Sequence, residues 1–460
     1  ITDVNNFGEI WYTDVYKQID VRYYPSIEGT LEYDIICKPG FDNKNLRIQF
    51  DGIEQMEVLE NGHLELHTSA GDVDFPEPIV YQKINSVEKA VTARYILEGN
   101  ILAFELGEFD KQYPLIIDPI ALRWATWVNT NSSGDNHGHC IWVDPSDGAI
   151  YMVARVVGTT DQITPGAFNT AANGNLDMII GRYLEPAAVG GSGIRDWQTY
   201  VGGSGDDNPY AMEQGPEGDI YITGYTASSN FPLLGGPAYA GGGASIDQRA
   251  QTTDNIFVMK INTAGNSIKS SVIGGGGDDG GFDLRTSQEG DVIVCGNHNS
   301  NNLGTLYPGT GSLDRANSNN GQDVIVFQIN ADLSSIAWMK NYGGSSTDQA
   351  TIMVKNKING DLYIGGYTSS SNFPTLNPRQ STLGGSRSGF IQKLKTNGTT
   401  VWSSYFQSAN NAATSILCME FNTTKSQLYF GGITSGLAAA NIAGGLYTGY
   451  NGGTNDLFVC

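Results

Sequence analysis

Four short strand-like segments recur in a fixed order through the second part of the chain, about every 70 residues. A turn followed by an apolar strand occurs at 147–151, 217–221, 289–293, 359–363 and 425–429. A second apolar segment begins near residues 177, 255, 323, 389 and 456. A third begins at Trp124, Trp197, Trp338 and Trp402 and is degenerate near Lys269, and a fourth, such as 140–143 or 416–419, precedes each turn. Four short strands repeated in this way are the sequence signature of a β-propeller.

The composition supports an all-β fold and excludes helical bundles. Glycine occupies 59 of 460 positions and only 16% of the residues are charged, whereas helical bundles and coiled coils have much more charge and much less glycine. Aromatic residues make up 10%, which is too many for a disordered glycine-rich tract. We therefore predict an all-β protein, with a β-propeller over residues 119–460.

The order of the segments favours five propeller blades. The tryptophan segment ends each repeat, yet Trp124 precedes every complete set and the fifth repeat has no such segment after Val459. If residues 122–128 supply the outer strand of the fifth blade, the ring closes with strands from both ends and has no exposed sheet edge. The alternative is that further blades lie beyond Cys460.

Residues 1–118 alternate apolar and polar side chains with a period of two, which predicts a separate antiparallel β domain with one solvent-facing side. Two β-like runs flank Asn61-Gly62, and two more flank residues 98–100. Asn-Gly is a strong hairpin signal because both residues accept the positive φ of a type I′ turn. The prolines of segment 113–119 predict a stiff connector between the two domains.

Charge and cysteine content exclude several classes of protein. Acidic residues outnumber basic ones by 48 to 26, and the resulting net charge of −22 disfavours a nucleic-acid partner. The sequence has no run of about 18 apolar residues, so we expect no membrane-spanning helix in this chain. Its five cysteines form no C-x-x-C pair, which excludes a zinc ribbon or a thioredoxin-type motif. Because the sequence starts at Ile1 without a signal segment, we expect it to be a piece of a longer polypeptide.

Acidic turns at equivalent places in the repeats are the candidate metal ligands. The residues concerned are Asp206, Asp207, Asp278, Asp279 and Asp348, each just after a glycine pair. A ring of carboxylates on one rim of the propeller could bind Ca²⁺, which takes six to eight oxygen ligands. The alternative is that these side chains accept hydrogen bonds from backbone N–H groups and hold the turns. No other cofactor is predicted.

Three histidine-containing or aromatic sets are weaker candidates. His137, His139 and Cys140 form the densest metal-capable set, but no fourth zinc ligand is visible. His63 and His67 fall on one face of a predicted strand. The long loops 225–254, 297–322, 367–388 and 434–455 carry tyrosines suited to recognition of a sugar or a protein. These recognition candidates are Tyr239, Tyr307, Tyr447 and Tyr450.

No motif assigns a catalytic residue. The sequence contains no nucleophile elbow in a strand–turn–helix setting, no P-loop and no H-E-x-x-H. Acidic pairs are plentiful, so a glycosidase with two carboxylates stays an alternative. Five similar loops with similar acids nevertheless indicate structural repetition rather than one catalytic centre.

Two nearly identical segments, GYTASSNFP at 224–232 and GYTSSSNFP at 366–374, together with YVGGSGDD at 200–207, resemble the SBBP-type β-propeller repeat. The segments 11–24, 31–34 and 114–119 resemble the β domain that commonly precedes such repeats, of which residues 1–118 would be the C-terminal part. The first repeat has Val153-Ala-Arg in place of Gly-Tyr-Thr, and the third has Gly296-Asn-His298.

The resemblance implies a large secreted surface protein of the kind found in Bacteroidota and exported by the type IX secretion system. We therefore expect a secreted or cell-surface, non-catalytic propeller scaffold that recognises a cell-envelope protein or an extracellular glycan. Adhesion, gliding motility and assembly of an envelope complex are the roles that this implies. The alternatives are a polysaccharide-active propeller enzyme and a Ca²⁺-stabilised structural module.

Overall fold

The structure is a computed structural model. It describes residues 9–25, 31–50, 53–59, 62–68, 71–75, 77–85, 87–99, 101–118, 136–159, 163–184, 194–236, 238–239, 243–248, 253–310, 321–407, 413–422, 427–435 and 456–459. The chain divides into two compact units, Ile1–Ala125 with Pro186–Ser192, and Thr126–Glu185 with Gly193–Cys460. The predicted boundary near residue 118 adjoins segment 119–135, which lies outside the described residues, and stays a prediction.

The predicted all-β class is confirmed. Nearly all regular structure in the described residues is antiparallel β-sheet, apart from a 3₁₀ turn at Asn43–Asn45 and one helical turn at Leu303–Leu306. In the described part of the chain no helix is long and apolar enough to cross a membrane.

The described residues of the first unit form twelve strands. They are β1 (Ile10–Tyr16), β2 (Ile19–Pro25), β3 (Leu31–Cys37), β4 (Ile48–Gln49), β5 (Gln55–Val58), β6 (Leu64–Thr68), β7 (Gly71–Phe75), β8 (Ile79–Ile84), β9 (Val87–Val91), β10 (Ala93–Glu98), β11 (Ile101–Leu106) and β12 (Leu115–Asp118). They form one sheet of order β1-β2-β3-β12-β8-β9 and two smaller sheets, β10-β11-β4 and β5-β6-β7.

Both hairpins predicted in the first unit are confirmed. Strands β5 and β6 pair on either side of Asn61-Gly62, and Gly62 has the expected positive φ of 83°. Strands β10 and β11 pair across Gly99, which has φ 70°. One apolar core, which includes Ile35, Leu64 and Phe104, lies between these sheets.

In the part of the second unit that the structure describes there are twenty strands. They are β13 (His137–Val143), β14 (Ile150–Val156), β15 (Asp177–Leu184), β16 (Ile194–Val201), β17 (Asp207–Gln214), β18 (Ile220–Thr226), β19 (Leu234–Gly235), β20 (Asn255–Ile261), β21 (Ile268–Ile273), β22 (Asp279–Thr286), β23 (Val292–His298), β24 (Asp323–Ile329), β25 (Ile336–Tyr342), β26 (Asp348–Lys355), β27 (Leu362–Thr368), β28 (Ser388–Leu394), β29 (Thr400–Phe406), β30 (Thr414–Phe421), β31 (Leu428–Thr434) and β32 (Asp456–Val459).

These strands form five successive sheets in which consecutive main strands are neighbours. Their orders are β13-β14-β15-β16, β17-β18-β20-β21-β19, β22-β23-β24-β25, β26-β27-β28-β29 and β30-β31-β32. In the first four sheets the four recurring sequence segments thus form the four main strands, as predicted, and the segment predicted from the tryptophan pattern is the last of them. The fifth sheet has three described strands, and the segment 122–128 predicted to complete it lies outside the described residues.

Four apolar cores of the second unit lie between successive sheets. The first joins Met178 to Phe257, and the second joins Val258 to Phe327. Further cores join the third sheet to the fourth and the fourth to the fifth. The second, third and fourth repeats therefore each contribute to two of these cores.

The first strand of every sheet carries a β-bulge at the same place, where one extra residue interrupts the pairing with the second strand. The extra residues are His139, Tyr210, Phe282, Thr351 and Leu417. In four sheets a glycine of the second strand pairs with the residue just before the bulge. At Gly366 an added Cβ would lie 1.9 Å from the carbonyl oxygen of Gln349, so only glycine permits this close approach.

We predict that Gly366→Ala lowers the free energy of unfolding by about 1–3 kcal/mol, because the methyl group forces the bulged strand away. Urea denaturation measures the loss. The matched control is Gly138→Ala, where an added Cβ meets no atom within 4 Å. Equal stability of the two variants would contradict the close-approach explanation.

Candidate functional site

One buried aspartate organises the loop that leads into the first strand of the second, third and fourth sheets. These residues are Asp207, Asp279 and Asp348, and each is the first residue of its strand. In each case Oδ2 accepts a backbone hydrogen bond from the glycine four residues earlier and a second one from a serine hydroxyl. The glycine bonds measure 2.6, 2.9 and 2.7 Å, and the serine bonds 2.8, 2.6 and 2.8 Å.

The serine and a nearby asparagine tie this loop to the end of the second strand. Ser370 Oγ accepts from the Ser346 N–H at 2.8 Å, and Asn372 Oδ1 accepts from the Ser345 N–H at 2.8 Å. The same contacts recur at Ser228 with Asn230 and at Ser300 with Asn302. The repeated Ser-x-Asn sequence therefore joins the entry loop of each of these sheets to its own second strand.

A second polar side chain lies beside each aspartate, at the start of the third strand of the preceding sheet. Asp177 accompanies Asp207, and Asp323 accompanies Asp348. Asn255 takes this place beside Asp279: a Cβ added at Gly274 would meet both side chains within 3.0 Å.

Burial raises the pKa of both Asp207 and Asp348 to about 6. The neighbouring carboxyl of Asp177 or Asp323 raises it further, while hydrogen bonds from backbone and hydroxyl donors oppose the shift. Two carboxyl groups this close disfavour double ionisation. Asp207 and Asp348 therefore each retain a proton more readily than an exposed aspartate does.

The five predicted calcium ligands divide into two groups. Asp207, Asp279 and Asp348 are buried and hold turns, which is the alternative role considered from the sequence. Asp206 is half-buried and Asp278 is exposed. Both lie near Asp254, whose pKa is raised by burial and then by these two carboxylates. Calcium binding stays a prediction.

Two of the four tyrosines predicted to serve recognition contact other parts of the protein, Tyr239 as a half-buried side chain and Tyr307 as a buried one. The Tyr239 hydroxyl donates to Asp219 at 2.9 Å, and the Lys260 ammonium lies 4.9 Å from the centre of the Tyr239 ring. Tyr307 is buried, and its hydroxyl bonds the Gly274 backbone. Its side chain is thus used in packing rather than offered at the surface. Tyr447 and Tyr450 lie outside the described residues.

Phe231 and Phe373, which precede the prolines of the two GYT segments, are buried. Phe231 stacks on Phe257 with ring centres 5.1 Å apart. Phe373 lies 4.7 Å from Phe390, and its N–H donates to the hydroxyl of Tyr405.

The bulges bring side chains of successive first strands together. The His139 ring lies 5.5 Å from Tyr210, which in turn stacks on Phe282 at 4.7 Å. Thr351 Oγ1 donates to the carbonyl of Ile416 at 2.6 Å, which continues the series into the fifth sheet. His137 packs against His139, but the guanidinium of Arg155 contacts His137 and opposes a cation there.

Beyond the bulges, the C-terminal ends of the first strands line a cavity of about 1020 Å³. Each of the five sheets contributes at least one residue from its first strand. These residues are Trp142, Glu213, Arg285, Lys355 and Glu420. Residues of turns and of other strands complete the wall, and several carry amide side chains. These are Gln288, Gln328, Asn356, Asn359 and Asn397.

Two charged residues of the cavity wall, Arg285 and Glu213, are engaged with the rest of the protein. Arg285 donates to Asp283, behind the wall, at 2.5 Å, and Asp283 also accepts from the backbone N–H of Met353 at 2.7 Å. Glu213 accepts from the Thr286 N–H at 2.8 Å, and burial raises its pKa. The exposed wall residues Lys357 and Ile358 are accessible to a ligand.

Sequence reasoning missed this cavity. Its signal was present, because Asp283 and Arg285 interrupt a first strand whose neighbours are apolar. Since the bulge at Phe282 breaks the period-two alternation, the direction of these side chains cannot be read from sequence alone.

Comparison with known proteins adds little to this description. Residues 1–120 match a domain of unknown function, DUF7948. No curated protein shows a significant match to the sequence.

Two solved structures resemble the chain weakly. Hydrazine synthase of Kuenenia stuttgartiensis is 10% identical, with a TM-score of 0.36, 86% of this chain covered and 79% of that chain. A variant of the apocarotenoid oxygenase of Synechocystis is 9% identical, with a TM-score of 0.33 and coverages of 91% and 78%. Likeness at this level supports no conclusion about function.

We predict that Asp348→Asn gains stability relative to the unchanged protein as pH rises from 4.5 to 7. The folded pKa of about 6 exceeds the ordinary 3.8, so the folded state binds this proton more tightly. That stabilisation is fully present below pH 3.8 and is lost as pH rises to about 6. Asparagine does not titrate, and the difference between the urea midpoints of the two proteins therefore depends on pH.

Asp361→Asn is the matched control. Although burial alone raises it, ion pairs with Lys393 and Lys395 hold the pKa of Asp361 below its ordinary value. Its removal should therefore destabilise the protein by a similar amount at pH 4.5 and 7. A pH-independent difference for Asp348→Asn would show that this carboxyl does not carry the raised pKa.

Proposed function

We propose that the second unit is a five-bladed β-propeller, with residues 122–128 as the outer strand of the fifth blade. First strands of successive sheets are in contact from β13 through β17, β22 and β26 to β30. All five first strands reach one cavity, as strands arranged around a common axis do. In this arrangement the bulged residues His139, Tyr210 and Phe282, whose rings contact one another in sequence, face that axis.

This propeller serves as a non-catalytic recognition scaffold that binds an extracellular glycan at the axial cavity. The cavity itself carries the proposal. Trp142 is half-buried beside carboxylate, guanidinium and amide groups that can bond sugar hydroxyls. Aromatic rings with polar neighbours suit ligands that are apolar on one face and polar at their edges.

The engagement of the buried carboxyl groups at and behind the cavity wall favours binding over catalysis, because a general acid or base must reach the substrate. At the wall, Glu213 accepts a hydrogen bond from the Thr286 N–H. Behind it, Asp283 is only 5% exposed, and its oxygens accept bonds from Arg285 and two backbone N–H groups. These interactions leave it a structural counter-ion.

The proposed setting is the cell surface or the extracellular space of a Bacteroidota-like bacterium. Support comes from the resemblance of segments 224–232 and 366–374 to SBBP-type repeats. A net charge of −22 is also compatible with a surface that repels other polyanions. Adhesion, motility or assembly of an envelope complex would then use the axial cavity, with a protein partner as the alternative to a glycan.

We predict that the complete chain binds members of a glycan array and that Lys357→Glu/Ile358→Glu weakens binding at least about tenfold. Both residues are exposed in the turn between β26 and β27 at the cavity wall, and Ile358 is 71% exposed, so the fold should tolerate the change. Titration calorimetry with the best array ligand measures the loss.

Glu217→Lys is the matched control, because it reverses a charge in the equivalent turn of the second sheet, away from the residues that line the cavity. It should bind like the unchanged protein. Glycan binding that ignores the cavity variant, or capture of an envelope protein alone, would contradict a glycan site there. Glycan cleavage lost in Glu213→Gln would instead establish the enzyme alternative.

A further inference from the structure

One face of the small sheet β5-β6-β7 in the first unit gathers potential metal ligands. Glu57 of β5 pairs directly with Glu65 of β6, and His67 follows two residues later on the same face. Leu64 and Leu66, which alternate with them, are buried in the core of this unit. The two glutamates and the histidine therefore face away from the core and are 27–46% exposed.

The strand register places Glu57 directly opposite Glu65, and the repulsion between these two carboxylates lowers the stability of the sheet unless a positive charge lies nearby. Like charges directly opposite each other in an antiparallel pair are destabilising. Strand β7 adds acidic positions, since Asp72 stands opposite His67 and Asp74 opposite Glu65 in the register. Strands β5 and β6 bring two carboxylates beside one imidazole, and β7 places two further acidic residues in register with them.

The donor atoms already converge. His67 Nε2 lies 2.9 Å from Glu57 Oε1 and 3.9 Å from Glu65 Oε2, and one donor atom from each residue lies within 4.8 Å of both others. Ligands at about 2.0–2.2 Å around a tetrahedral Zn²⁺ are roughly 3.3–3.5 Å apart. Small side-chain rotations, which half-exposed residues permit, bring the three donors to that spacing.

We propose that Glu57, Glu65 and His67 form a Zn²⁺ site with a fourth position open to water. The imidazole selects Zn²⁺ over Ca²⁺, because calcium prefers a shell composed only of oxygen atoms. The histidine pair considered from the sequence, His63 with His67, is replaced by a cross-strand set that includes only His67. The site lies in the first unit and does not depend on the function proposed for the second.

The test is calorimetric titration of ZnCl₂ into the full chain, produced without a polyhistidine tag. All proteins carry Cys418→Ser, because Cys418 is an exposed free thiol that can itself bind zinc. We expect one equivalent of Zn²⁺ to bind and the melting temperature to rise with zinc relative to EDTA. Glu65→Gln should weaken binding at least about tenfold, and His67→Gln at least as much.

Glu65→Gln keeps the His67–Glu57 hydrogen bond and removes one of two opposed charges, so its melting temperature in EDTA should equal or exceed that of the parent. This separates loss of a ligand from loss of the fold. Glu88→Gln, at an exposed glutamate paired with Lys83 in the same unit, should bind zinc like the parent. Absence of saturable binding by the parent, or unchanged binding by both ligand variants, would overturn the proposal.

Discussion

The structure of the second unit depends on a buried carboxyl group at the junction between sheets. Asp207, Asp279 and Asp348 each stand where one sheet has ended and the next begins, and each receives hydrogen bonds from its glycine loop and from a serine. A buried carboxyl group without these partners would carry a large desolvation cost. The network therefore fixes the conformation of the loop, and with it the start of the first strand of the next sheet.

The positions of the first strands β17, β22 and β26 follow from those fixed starting points. Each first strand runs a few residues before its bulge, and the bulge directs one additional side chain toward its neighbours. His139, Tyr210 and Phe282 meet in this way, and the charged ends of the strands then lie around one cavity. The repeated segments determine where the strands lie, while residues that differ between repeats, such as Arg285 with its partner Asp283, determine which charged groups lie at the cavity.

Sequence periodicity predicted the strands well because four segments recur in one order and each needs only local alternation or a turn. It identified the Asn61-Gly62 hairpin for the same reason. It could not place the partners of Asp207 or Asp348, since Asp177 and Asp323 lie on a different sheet, about 25–30 positions away in sequence. Tyr307 was expected at a surface because it belongs to a long loop, yet that loop folds back and buries it. The contact of Glu57 with Glu65 and His67 likewise depends on the register between β5 and β6, which the sequence pattern alone did not predict.

The sharing of apolar cores between neighbouring sheets has an evolutionary consequence. Met178 and Phe257 belong to different repeats but to one core, and Val258, next in the chain, belongs to the following core. Deleting a single repeat would leave two mismatched apolar faces to be rejoined, and truncating the chain would leave one uncovered and prone to aggregation. Change in the length of such a chain is therefore expected to proceed by duplication or loss of whole repeats whose two faces already fit, while loops and rim residues diversify freely.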